Sequence, residues 1–248
     1  MHKICVIIPV YNHSKTVKAV IEGVLAYELE VFVIDDGSTD DLQDVLQEFD
    51  GKITLISYPK NKGKGYALQC GFEAAQKAGY DYSLTLDADG QHRPEDIPLM
   101  LNALEQSPHS LILGSRRFNH KNMPSKNSFA NRFSNFWFTV QTGQRLPDTQ
   151  TGFRVYPLSE MKKIRLFTCR FEAELELLVR LAWKGIKIVP VETNVFYPPK
   201  SERVTHFRPC LDFLRISLLN TVLTVTAFVY GYPSIFIYKR WKQCISTK

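Results

Sequence analysis

The chain has 248 residues, 44% of them hydrophobic and 23% charged, enough to bury the core of one large domain. Its net charge of +6 and pI near 9.0 point to anionic partners such as nucleotides, phosphorylated substrates or an anionic membrane surface. Five dispersed cysteines without a CxxC exclude a disulfide or zinc framework and read as reduced cytosolic thiols. No secretory leader, internal repeat or low-complexity tract is visible.

The N-terminal half alternates strand-like and helix-like segments. "ICVIIPV" (Ile4–Val10) is a continuous β-rich run, as in a parallel strand covered on both faces. Ser14 is expected to cap a helix carrying Val17, Val20, Ile21, Val24 and Leu25 at helical spacing. "EVFVID" follows as a strand, then a helix with Asp40 as its expected cap and Leu42, Val45, Leu46 and Phe49 as its stripe. "ITLIS" is a third strand, "YALQCGFEAAQKAG" a helix stopped by Gly79, and "DYSLTLD" a fourth strand. Pro94 opens the helix "EDIPLMLNALEQ", and "SLILGS" is another buried strand. This rhythm predicts an α/β layer structure with a mainly parallel sheet.

Beyond Ser115 the pattern loosens. "SFANRFSNFWFTV" spaces Phe129, Phe133, Trp137 and Val140 helically, "FEAELELLVRLAWKG" reads as a helix stopped by Gly185, and "IKIVPVETNVFY" as a strand. From Ile216 to Tyr238 no side chain is charged, but Gly231-Tyr232-Pro233 interrupts the run. The expected form is an interfacial helix or shallow hairpin, not one straight span.

Chemistry concentrates where strands should end, the place where open α/β sheets bind ligands. "PVYN" closes the first strand. "DDGSTD" closes the second, and there Asp36 is able to accept from a ribose hydroxyl or base nitrogen, or to serve only in a turn. "NKGKGYA" sets Gly63 and Gly65 before a helix, where backbone amides and Lys62 or Lys64 suit a phosphate. Its spacing fails the dinucleotide fingerprint, with Leu68 in the third glycine's place. "SLTLDADGQH" ends an apolar run in Asp87 and Asp89. On one face of a strand, two carboxylates about 5 Å apart repel by roughly 3 kcal/mol, which solvent, a shared proton or a cation must offset. Mg²⁺ or Mn²⁺ suits such oxygen ligands together with substrate phosphates. In "DTQTGFR", Asp148 is a possible general base or a loop cap, and Arg154 a grip for an anion or a partner for a carboxylate. Glu172, Glu174 and Glu176 in "FEAELE" read as a solvated helix edge. No nucleic-acid recognition motif is present.

Taken in order, "IIPVYN", "VIDDGSTD", "NKGKGYAL", "TLDADGQH", "GSR" and "DTQTGFR" resemble the family 2 glycosyltransferases of GT-A fold. The nearest likeness is to the dolichyl- and polyprenyl-phosphate mannose or glucose synthase branch, over roughly Lys3 to Tyr197. The resemblance implies an inverting, metal-dependent hexose transfer from a UDP- or GDP-sugar to polyprenyl phosphate, with a hydroxyl of another lipid or glycan as the alternative acceptor. It implies donor contacts at Pro9, Tyr11, Asn12, Asp35, Asp36, Lys64, Asp87 and Ala88, and Mg²⁺ or Mn²⁺ at Asp89 and Gln91. Arg116 and Arg154 are implied to serve the transferred group, and Arg132 and Arg203 the acceptor phosphate; for a hydroxyl acceptor Asp148 is the candidate catalytic base, with Glu172 or Glu174 behind it. It further implies a catalytic domain over 1–210 with an interface helix near 127–141. A membrane-associated segment over 211–248 would then seat the protein at the cytoplasmic face. One departure stands out: "PPKSERVTHFRP" lacks the glycine expected of the basic loop there, while Arg203, His206 and Arg208 keep its charge.

Overall fold

A computed structural model describes residues 2–116, 125–162, 164–196 and 208–238. In chain order the elements are β1 (Ile4–Val10), α1 (Ser14–Leu25), β2 (Glu30–Asp35), α2 (Leu42–Gln47), β3 (Thr54–Ser57), α3 (Lys64–Lys77) and β4 (Tyr82–Thr85). There follow α4 (Ile97–Gln106), β5 (Leu111–Arg116), α5 (Ser125–Thr142), β6 (Arg154–Pro157), α6 (Leu158–Met161), α7 (Glu172–Trp183), β7 (Ile188–Thr193) and α8 (Pro209–Thr226).

The strands form one seven-stranded sheet in the order β3-β2-β1-β4-β6-β5-β7. β6 runs antiparallel to both its neighbours and every other pairing is parallel. The carboxyl ends of β1, β2 and β4 therefore share one edge. Each face of the sheet carries its own apolar layer. Ile7, Ile34, Leu68 and Phe72 lie on one side with α3 and α7, and Val6, Ile8, Val33 and Leu84 on the other with α1, α2 and α4. The central strands are buried on both faces, which is why their sequences run apolar without alternation.

The helix caps differ from the sequence expectation. Ser14 is the first residue of α1 and makes no side-chain cap, and Asp40 does not cap α2. Asp40 Oδ2 instead accepts from the Ser14 backbone N–H at 2.9 Å, so the loop after β2 caps the helix after β1. This ties two strand-end loops together at the edge where ligands bind.

The C-terminal run also departs from a hairpin. α8 passes through a π turn at Ala227–Gly231 and continues helically to Tyr238. Pro233 has no N–H to give, and widening the preceding turn absorbs the lost bond without breaking the helix. One side of this helix is docked. Leu219, Leu223 and Ala227 join the core, the buried Gln141 amide of α5 donates to Asn220 Oδ1 at 3.0 Å, and Trp183 Nε1 donates to the Gln141 carbonyl at 2.8 Å. Gly231 allows a close approach, because a Cβ there would collide with the Trp183 indole. The other side leaves Leu214, Leu218, Val225, Phe228, Val229 and Ile237 exposed. Leu211–Tyr238 is long and apolar enough to cross a membrane by length and composition.

Candidate active site

A cavity of about 620 Å³ opens at the carboxyl edge of β1, β2 and β4. Pro9, Tyr11, Asp36, Lys64, Asp87, Ala88 and Asp89 line it, which brings together residues from four separate sequence motifs. His13, Asn61, Gly63, Arg170, Phe171 and Arg208 complete much of the wall. Asn61 and Gly63 lie in a motif visible in the sequence. Arg170 and Phe171 come from the loop before α7, more than a hundred residues away; Phe171 opens the "FEAELE" stretch, and no local pattern marks Arg170.

Asp36 organises one end. Its carboxylate accepts from the Lys62 N–H at 2.7 Å, the Gly63 N–H at 2.8 Å and the Asn61 side-chain amide at 2.9 Å. The amides expected to cradle a phosphate are thus given to an internal carboxylate. Gly63 sits at φ +103°, and a Cβ would lie 2.6 Å from the Cys169 carbonyl, so only glycine lets the α7 loop close over this turn. Asp35 and Asn12 stand behind the wall. Asp35 accepts from Ser38 N–H and Gln43 Nε2, and Asn12 Oδ1 accepts from Thr39 N–H, so both shape the turn.

The other end carries the acidic couple. β4 stops at Thr85, so Asp87 and Asp89 lie in the turn beyond it, and strand alternation is not what aligns them. Lys64 Nζ reaches Asp87 Oδ1 at 2.7 Å and Glu174 Oε2 at 2.8 Å. Burial opposes the charge on Asp87, but the Lys64 ammonium outweighs it and holds this carboxyl below the usual range. Burial likewise opposes the Lys64 charge, and Asp87 and Glu174 more than restore it. Asp89 forms no ion pair among the described residues, and the Lys64 charge offsets its burial only in part. Burial, then the Asp87 charge, pushes its carboxyl up to about 6, while the Gln91 N–H donates to it at 2.9 Å. Gly152 crowds this corner, since a Cβ there would lie 2.5 Å from Asp87 Oδ2.

Among the described residues no three His, Cys, Asp or Glu side chains gather into a self-sufficient metal centre. Asp87 and Asp89 are instead two hard oxygen donors on a cavity wall, with an excess negative charge at Asp89. That donor set fits Mg²⁺ or Mn²⁺ when a ligand's phosphates complete the coordination. Gln91 lies beside this corner but is not part of the cavity wall.

Several expected site residues take other positions. Asp148 is fully buried and holds Arg116 in a two-point ion pair, Nε to Oδ2 at 2.6 Å and Nη2 to Oδ1 at 2.9 Å. It also accepts from the Gln150 N–H. Arg154 is fully buried and donates to the Thr149, Thr151 and Glu174 carbonyls and to the Tyr156 hydroxyl. It is a clasp for the 149–151 loop and has no donor turned to an anion, contrary to the expected grip on the transferred group. The glutamates of α7 are buried, contrary to the expected solvated edge. Glu174 pairs with Lys64, and Glu176 accepts from the Phe167 and Thr168 backbone amides and from Arg180 Nε. His92 connects the acidic turn to the same loop, with Nε2 3.2 Å from Thr151 Oγ1. Burial and the Arg116 charge bring its ring down to about 4, leaving it neutral at pH 7. Arg132 is exposed on α5, and Arg203 lies outside the described residues.

With this geometry in view, comparison with known proteins is decisive about family. The sequence profile of glycosyl transferase family 2 matches residues 5–163. The chain belongs to glycosyl transferase family 2. This glycosyltransferase is 29% identical over 213 residues to the UDP-N-acetylglucosamine–dolichyl-phosphate N-acetylglucosaminyltransferase of Methanococcus voltae, covering 77% of this chain and 85% of the other. It is 27% identical over 200 residues to the undecaprenyl-phosphate mannosyltransferase of Micrococcus luteus, covering 76% and 82%. Among solved structures, glucosyl-3-phosphoglycerate synthase from Mycobacterium tuberculosis, crystallised with Mn²⁺, UDP-glucose and phosphoglyceric acid, superposes with a TM-score of 0.64. That match covers 91% of this chain and 79% of the other at 19% identity, a likeness of the GT-A fold.

Proposed function

We propose that this glycosyltransferase moves a hexose, with inversion, from a UDP- or GDP-sugar to the phosphate of a polyprenyl phosphate at a membrane surface. The observation that carries this reading is how the cavity is walled. Carboxylates line it on one side, and Arg208, the residue leading into the exposed apolar helix, lines it on another. A donor bound there would sit beside a surface suited to lipid. The dolichyl- and undecaprenyl-phosphate transferases among the relatives support the same acceptor class.

The residues divide the work as follows. Pro9, Tyr11 and Asp36 would hold the nucleoside, and Asp87 and Ala88 the ribose and diphosphate end. Asp89, with Gln91 beside it, would hold Mg²⁺ or Mn²⁺, which when bound neutralises the charge that develops on the leaving diphosphate. Lys64 keeps Asp87 ionised and fixed. The acceptor attacks the anomeric carbon from the face opposite the leaving group. A phosphate acceptor is already ionised at neutral pH and needs no base, in keeping with Asp148 being committed to Arg116. Arg132 on α5 and Arg203 are the cations proposed to meet the acceptor phosphate.

Residues 1–210 form the catalytic part in this reading, and 211–248 seat it on the cytoplasmic face of the membrane. α5 contributes Phe136, which is 59% exposed, and Phe133 stacks near Phe213 of α8 at 5.9 Å, joining the two helices into one apolar surface. The test is incubation of the detergent-purified enzyme with Mn²⁺, a panel of UDP- and GDP-sugars, and either undecaprenyl phosphate or undecaprenol. Mass spectrometry should find a sugar phospholipid only with the phosphate acceptor. Product with undecaprenol alone, or with neither across the panel, would overturn the assignment.

A further inference from the structure

We infer that the loop between α6 and α7 is a second membrane contact, one that inserts Phe167 among anionic lipid headgroups. This rests on the membrane seat proposed above and extends it from α5 and α8 to a separate part of the chain. The loop contains Ile164-Arg165-Leu166-Phe167. Ile164 and Leu166 turn inward and pack on the core, while Arg165 and Phe167 turn out. Phe167 is 79% exposed, more than any other large apolar side chain among the described residues.

That exposure is built in. The Phe167 N–H donates to both oxygens of Glu176 at 3.0 Å, and the Thr168 N–H and hydroxyl donate to Oε2 at 3.0 and 2.7 Å. Glu176 is fully buried and also accepts from Arg180 Nε at 2.7 Å, so a buried carboxylate anchors the loop from beneath. The Arg180 guanidinium lies 4.6 Å from the centre of the Phe167 ring and supports it without covering it. A ring held outward in this way loses little freedom on meeting a surface, so ordering offsets little of what its burial contributes.

Two observations favour lipid as the occupant. The first is continuity with the apolar side of α8. Arg180 and Trp183 are three residues apart on α7 and so are neighbours on its surface. Phe167 leans on Arg180, and Tyr230, which is exposed on α8, leans on Trp183 with ring centres 6.1 Å apart. The second is charge. Lys162 and Arg165 are exposed beside the ring, and no acidic residue occurs between Lys162 and Arg170, a pattern that suits anionic headgroups. The loop then runs on to Arg170 in the cavity wall, as α8 runs from Arg208 in that wall. Two membrane contacts would thus hold the cavity at the surface that supplies the acceptor.

The experiment is flotation of the full-length protein with vesicles of phosphatidylcholine, alone or mixed with phosphatidylglycerol. Phe167→Ser should weaken binding to the mixed vesicles about tenfold, the scale of burying one aromatic ring. Arg165→Ala should weaken it several-fold on the mixed vesicles and leave phosphatidylcholine binding unchanged. Both side chains are exposed, so thermal unfolding of the two variants should match the wild type. Leu99→Ser removes an exposed apolar side chain of α4, on the other face of the sheet, and should bind as the wild type does. Unchanged binding in Phe167→Ser, or an equal loss in Leu99→Ser, would overturn the inference and leave the seat on α5 and α8 standing. So would a Phe167→Ser that keeps vesicle binding but loses self-association in sedimentation, which would give the ring to a second copy of the chain. An Arg165→Ala loss equal on both vesicles would overturn the anionic assignment. Failure of the wild type to bind either vesicle would overturn the inference and the membrane seat together.

Discussion

Two acidic clusters sit within the same fold and have opposite electrostatics. Around Asp148 the charged groups are satisfied within the fold: Asp148 closes on Arg116, and Arg154 spends its donors on three carbonyls and the Tyr156 hydroxyl. Around Asp87 the matching is incomplete, because Lys64 is shared by Asp87 and Glu174 and, among the described residues, Asp89 forms no ion pair of its own. A satisfied buried pair holds structure, whereas an unbalanced carboxylate on a cavity wall is poised for a ligand. The contrast assigns scaffold to the first cluster and chemistry to the second.

The largest expected effect comes from the unbalanced side. Asp89→Ala should lower sugar transfer by about 10²–10³-fold, the scale of removing one electrostatic stabiliser of a leaving group. Its thermal unfolding should stay unchanged or rise, since the variant also removes a carboxylate facing Asp87. Excess EDTA should silence the wild type equally, and activity that persists in EDTA would erase the distinction between the clusters.

The matched side should respond in stability. Asp148→Ala removes the fully buried carboxylate from its two-point ion pair with Arg116 and should cost about 3–5 kcal/mol in urea denaturation. Asp148→Asn separates the roles further. If it keeps transfer to undecaprenyl phosphate near the wild-type rate per folded molecule, Asp148 positions Arg116. A loss of transfer in well-folded protein would make it a catalytic group.

The pH response should follow Asp89. Its carboxyl is raised to about 6 from 3.8, so its contribution to stability is full below 3.8 and is lost as pH rises through 6. Mn²⁺ competes with the proton for this site. The rise in melting temperature on adding Mn²⁺ with UDP should therefore be larger at pH 7.5 than at pH 5, and equal rises would remove Asp89 as the site.

The smallest effect separates the two sides of the C-terminal helix. Phe228→Ser with Val229→Ser, on the exposed side, should reduce flotation with anionic vesicles while leaving the melting temperature within a degree or two. Gly231→Val should do the reverse by driving a side chain into Trp183. If both variants float as the wild type does, the exposed side is not the membrane surface.

Much of this was legible in the sequence because it is local. The runs at Ile4–Val10 and Glu30–Asp35 are strands buried on both faces, and "DDGS", "NKG" and "DADG" end or precede elements that converge on one edge. What was hidden depends on long-range pairing. β6 holds only Arg154–Pro157 and joins the sheet because β4 and β5 both pair with it antiparallel, which no local pattern states. The burial of Glu174 and Glu176 was equally unreadable, for their partners Lys64, Phe167 and Thr168 lie on α3 and in the loop before α7. Arg154 was misleading for the same reason. An arginine in a polar loop looks free to bind an anion until its four acceptors are known. Asp40 capped a different helix from the adjacent one, because two loops met in space first.

The central claim is that Asp89 holds a divalent cation together with a nucleotide diphosphate. Electron paramagnetic resonance of Mn²⁺ titrated into the purified enzyme with UDP tests it directly. The account predicts a bound Mn²⁺ signal that appears with UDP in the wild type and is lost in Asp89→Ala, and an unchanged signal in that variant would contradict it.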